Sequence, residues 1–97
     1  MPTAQTQLTW EKTALQKFNT MITKIPLFHR EIAKQVVEKK AQQNAIARGA
    51  PCIEESDIVR AFFSEVPKAF YSLMVRLLDE VGFDYRAYEQ GAEANGR

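Results

Sequence analysis

The sequence contains one cysteine and one tryptophan among its 97 residues, and a single histidine. Each scarcity closes off some chemistry. With Cys52 alone, the chain can form no internal disulfide and can assemble no thiolate zinc site or iron–sulfur cluster. The acidic residues that follow Cys52 also argue against a reactive thiol. His29 has no second histidine to complete a ligand pair, and its neighbours Arg30 and Glu31 mark it as a boundary or exposed side chain near a helix start. There is no run of eighteen apolar residues to span a membrane, and the amino terminus lacks the basic-then-apolar order of a signal peptide. A glycine-rich phosphate loop, a Gly-x-Ser-x-Gly elbow and a metal-spaced carboxylate cluster are likewise missing. The residues thus predict no catalytic centre, no metal and no cofactor, in a chain of the cytoplasm.

What is present is enough apolar residue, 45%, for one modest core. At this size the core is thin, and pairing with another copy or a partner protein would bury more apolar surface. The formal charge of +1 suggests no dedicated nucleic-acid or membrane binder. Its distribution is uneven. Residues 1–48 carry eight Lys or Arg against three Glu, a net +5, and residues 49–97 carry five against nine acids, a net −4. Such a split favours head-to-tail contacts, within one molecule or between copies.

The apolar periodicity is helical throughout, without strand-like alternation, and predicts an all-α, four-helix domain over about 9–89. Residues 1–8 and 90–97 read as loose ends. Thr9 is a candidate N-cap for a first helix from Trp10 to Thr23, with Ala14, Leu15, Phe18, Met21 and Ile22 on its apolar side. Pro26 suits the start of a second helix, through Arg48, ended by Gly49. Two stripes run along it, Phe28–Ile32–Val36 and Ala33–Val37–Ala41–Ala45, and the alanine row allows close approach of another helix. Together the first two helices make a hairpin over about 10–48. Pro51 marks an extended connector. A short acidic-fronted helix over about 55–63 follows, and then an amphipathic helix over about 67–81, ended by Gly82. That last helix carries more apolar positions than a hairpin and one short helix obviously cover.

One local signature stands out. Trp10 and Ala14-Leu15 precede Ile25-Pro26-Leu27-Phe28-His29-Arg30, with Glu38 and Ala41 in register, then Gly49 and Ile53. Over about residues 8–63 this resembles the small helical domain at the carboxyl end of the B subunit of light-independent protochlorophyllide reductase. The resemblance implies an accessory domain of a nitrogenase-like oxidoreductase of chlorophyll synthesis, in photosynthesis, with the cluster ligands and substrate pocket elsewhere in the enzyme. The spans from Trp10 to Pro26 and from Pro26 to Gly49 are each about one helical turn longer than the family pattern. Glu54 stands where that pattern has a Thr cap, leaving Ser56 or Asp57 as substitutes, and the fourth helix falls outside the pattern. Trp10 and Phe28 are expected as core aromatics, with Pro26, Ala41, Gly49 and Ile53 as structural positions. Arg30, Glu38, His29 and Lys34 are the candidate partner-binding residues.

The leading expectation is a non-catalytic interaction module that docks on a redox enzyme or on itself. A histone-like layout of short, long and short helices offers a nucleic-acid binder as an alternative, with Lys34, Lys39, Lys40 and Arg48 as its cations. The near-neutral charge weighs against it. A tetrapyrrole or other apolar ligand held between the second and fourth helices is a further alternative.

Overall fold

The computed structural model describes residues 8–86. In that region four helices and one minimal strand pair follow one another. They are β1 (Thr9–Trp10), α1 (Lys12–Lys24), α2 (Leu27–Ala47), β2 (Cys52–Ile53) and α3 (Glu55–Glu65), then a 3-10 turn at Lys68–Phe70 and α4 (Tyr71–Val81). This is the small helical domain that the periodicity predicts. Residues 1–7 of the expected loose start and the expected tail at 90–97 lie outside the described residues.

The chain start departs from expectation. Thr9 and Trp10 do not open a helix; they pair in parallel with Cys52 and Ile53, and the Glu11 amide donates to the Ile53 carbonyl at 2.8 Å. The cap is Glu11, whose carboxylate accepts from the Ala14 amide at 2.8 Å. Trp10 continues the helical phase of Ala14 and Phe18, so periodicity alone cannot see this boundary. Packing decides it. In a continuous helix Trp10 and Phe18 would stand about 12 Å apart along the axis, whereas the strand folds the indole back onto Phe18 with ring centroids at 5.1 Å. Leu8 is also anchored: its amide donates to Gln42 Oε1 at 3.1 Å, and its side chain packs on the core.

The second helix runs close to the expected limits, with Pro26 just before it and Arg48 just after. Its alanine-rich stripe works as the small side chains suggest. Val37, Ala41 and Ala45 are buried, and α2 makes its most extensive packing there, against α3. At its end Gly49 takes a positive φ of 69°, the Ala50 amide reaches the Ala45 carbonyl and the Gly49 amide reaches that of Ile46. These two bonds satisfy carbonyls that an ordinary helix end leaves open. The other stripe overturns an expectation. Phe28 is not a core aromatic; it is 84% exposed, and Ile32 is 67% exposed. The alanine stripe lets α3 approach, and α3 occupies only that side.

The α2–α3 junction is held by a buried charge. Asp57 is fully buried in the first turn of α3. Arg48 donates to it through Nε (2.8 Å) and Nη2 (2.7 Å), and the Glu54 amide donates at 2.9 Å. Asn44 Nδ2 donates to the Asp57 carbonyl at 3.0 Å, tying the end of α2 to the same point. Glu54, not Ser56 or Asp57, is the N-cap residue, and Asp57 contributes by bonding back to the Glu54 amide. The helix itself runs on to Glu65, two residues beyond the expected end. Burial alone would raise the Asp57 carboxyl. The Arg48 hydrogen bonds, the Glu54 amide, and the charges of Arg48 and Arg60 outweigh it and hold the group below its ordinary value. The Asp57 carboxylate, in turn, raises the Arg48 guanidinium.

The fourth helix starts later than expected: Pro67 leads into the 3-10 turn, and α4 begins at Tyr71. Met74, Leu77 and Leu78 are buried, and Gly82, at φ 96°, turns the chain so that Phe83 is buried as well. Lys17 gathers three elements here. Its ammonium bonds Glu55 at 3.0 Å and the Gly82 carbonyl at 2.9 Å, and it lies 5.8 Å from the centroid of the Phe83 ring. With Lys24–Glu80 and Arg48–Glu54 (3.6 and 3.5 Å), these pairs join the basic first half to the acidic second half within one molecule.

Asp57→Asn is expected to lower stability at neutral pH by roughly 2–4 kcal/mol, discounted from a fully buried pair because Arg48 keeps contact with water. Because the folded-state carboxyl is depressed, its contribution is fully present above 3.8 and fades as pH falls through the folded value. Urea unfolding over a pH series therefore shows the gap between variant and wild type closing in acid; a gap that is constant with pH contradicts this.

Candidate functional site

Beside the uncovered stripe of α2 lies an apolar groove of about 400 Å³. One wall is the first half of α2, carrying Phe28, Ile32 and Val36. The opposite wall is the 3-10 turn and α4, with Phe70 and Leu73, and the floor includes the buried side chains of Met21, Val37, Phe62 and Met74. Local sequence explains the shape. Pro26 and Pro67 each break the chain next to the groove, the first separating α1 from α2 and the second separating α3 from the 3-10 turn. Helix ends therefore diverge there.

The groove is nearly free of charge. Glu65 is the one charged residue lining it, and His29 sits at its edge, ring centroids 5.8 Å from Phe28 and 6.4 Å from Phe70. Such a surface offers area and shape but no converging acid, base and nucleophile. Among the described residues no three His, Cys, Asp or Glu side chains gather as a metal site would require. Cys52 is half-buried in β2, away from the groove lining.

The four candidate partner-binding residues are not brought together. Only His29 lines the groove. Arg30 turns back to the end of α1, where its Nη2 donates to the Thr23 and Ile25 carbonyls at 2.9 and 3.1 Å and its Nε to Ile25 at 3.3 Å. Lys34 and Glu38 pair with each other at 3.5 Å, one turn apart on α2. Of the cations considered for nucleic acid, Lys34 and Arg48 are thus already engaged by carboxylates. Sequence reading missed the groove residues Phe70, Leu73 and Glu65 as a site. The signal that could have found them is the surplus itself, a second i, i+4 stripe on a helix whose alanine face already has a partner.

A family model described as "Protein of unknown function (DUF2621)" matches residues 3–91. The chain belongs to the DUF2621 family. No curated protein and no solved structure matches it. The family match spans the helices on both sides of the groove, so in this DUF2621 chain α4 belongs to the same unit as the hairpin that precedes it.

Removing the Arg30 cap in Arg30→Ala is expected to cost roughly 1–2 kcal/mol, because charge-assisted bonds to helix-end carbonyls are lost. Lys34→Ala is expected to change stability by less than about 0.5 kcal/mol, as exposed i, i+4 pairs do. Equal losses for the two variants in thermal or urea unfolding would contradict these assignments.

Proposed function

We propose that this DUF2621 chain is a non-catalytic protein-interaction module, acting in the cytoplasm, that presents the α2–α4 groove to a partner. The observation that carries the reading is the exposure of large apolar side chains along one groove: Phe28 at 84%, Ile32 at 67% and Phe70 at 52%. Contiguous apolar surface of this kind, rimmed by polar residues, marks interaction sites far more often than accident. The resemblance to the carboxyl-terminal domain of the protochlorophyllide reductase B subunit supports a redox enzyme as one class of partner. Among the described residues no helix is long and apolar enough to cross a membrane.

A second reading is favoured by the groove's size and by His29 at its edge. About 400 Å³ of apolar space falls within the range of small-ligand sites, and an apolar ligand such as a tetrapyrrole would fit its chemistry. Absorbance titration with a porphyrin tests it, with a saturable spectral shift that is lost in His29→Ala in favour and an unshifted spectrum against.

The interaction reading is tested by placing benzoylphenylalanine at Phe28, and separately at the exposed Gln43 outside the groove, and irradiating living cells. A discrete protein adduct from the Phe28 position and none from the Gln43 position is expected. Absence of adducts at both, or identical adducts at both, would contradict it.

A further inference from the structure

The interaction reading leaves the identity of the partner open, and the shape, area and charge of the exposed face narrow it. We infer that the face is an interface between two copies of this chain, related by a twofold axis that passes near Ile32 of α2; the inference rests on the interaction reading. The area is the first argument. Phe28, Ile32, Val36, Phe70 and Leu73, which line the groove, are all exposed. At about 200 Å² for a large apolar side chain, their exposed fractions amount to roughly 550 Å² per copy, or about 1,100 Å² over a pair, which clears the ~1,000 Å² expected of a specific interface. For a domain of this size the patch stands at the upper end of the ~300–600 Å² that the largest patch of a monomer reaches.

Charge is the second argument. In a twofold pair each residue class meets its own kind, so a charged face repels itself. Glu65 is the one charged residue lining this groove, although the chain as a whole is 26% charged. A face meant for a charged partner gains by carrying complementary charge; this one carries almost none, and the charges of the two halves are already paired within the molecule.

Geometry is the third. Phe28, Ile32 and Val36 form one i, i+4 ridge, and such ridges on two helices interdigitate at a crossing of about −50°. With Ile32 at the axis, Ile32 meets its counterpart and Phe28 meets Val36 of the second copy, so that a bulky ring faces a small side chain twice.

Sedimentation equilibrium of the full chain under reducing conditions is expected to give twice the 11.1 kDa chain mass at micromolar concentration. Ile32→Glu should weaken association by about a hundredfold or more, since it places a charge at the centre of the interface in both copies. Ile32 is exposed in the single copy, so far-UV circular dichroism and the unfolding midpoint of the dilute variant should stay at wild-type values. Ile32→Cys in a Cys52→Ser background should close a disulfide between copies on mild oxidation, because helices packed at about 8–10 Å bring facing Cα atoms within disulfide reach. A wild-type chain that stays monomeric through the micromolar range, or a dimer indifferent to Ile32→Glu, would overturn the inference. The two readings fail differently: a Phe28 adduct to another protein, with a monomeric purified chain, ends this inference and keeps the interaction module, whereas no adduct and no dimer end both.

Discussion

Everything in this domain depends on how α2 distributes its apolar residues. A helix with one apolar stripe is satisfied by one neighbour, but α2 carries two. The stripe of small residues, Val37, Ala41 and Ala45, accepts α3 at close range and becomes the floor of the core. Alanine suits that place because it brings backbones together without side-chain entropy to lose. The larger stripe, Phe28, Ile32 and Val36, is thereby turned toward α4, whose own buried side chains, Met74, Leu77 and Leu78, fill the space beneath rather than the space beside it. The groove follows from this arrangement and needs no special element of its own.

The charge pattern does a different job from the apolar pattern. Arg48 and Asp57 fix the angle between the end of α2 and the start of α3, with the Glu54 amide completing the bonds of the buried carboxylate and Asn44 holding the Asp57 backbone carbonyl. Lys17 performs a similar task among α1, α3 and the end of α4. Removing one partner from the Arg48–Asp57 pair leaves the other charge uncompensated, so the pair ties the two helices to this one arrangement. Arg30 belongs to the same group, since it closes the carbonyl end of α1.

Much of the fold was legible because helical periodicity is a local property. The limits of α2, its glycine end at Gly49 and the buried alanine stripe could all be read from spacing and helix-end chemistry. Long-range pairing could not. Trp10 keeps helical phase with Ala14 and Phe18, and only the pairing of Thr9 and Trp10 with Cys52 and Ile53, more than forty residues away, makes a strand there. The same blindness applies to Asp57, whose sequence context reads as an acidic surface turn until Arg48 is brought beside it. As for the site, periodicity identifies an apolar residue without saying whether anything covers it. Periodicity therefore places Phe28 in the core and the surplus of apolar positions on α4, whereas the most exposed side chains belong to α2. Of the four polar candidates, His29, Arg30 and Glu38 belong to the local motif and Lys34 to the basic first half, and the structure separates them because Arg30, Lys34 and Glu38 bond locally.

The central claim is that α2 buries one apolar face within the chain and leaves the other to be covered from outside. Carbene footprinting of the dilute chain, resolved to single residues by mass spectrometry, tests it most directly. Leu27, Phe28 and Ile32 should label heavily while Phe18, Val37 and Phe62 stay protected. Phe28 and Ile32 protected to the same degree as Phe18 in the dilute single chain would contradict the account.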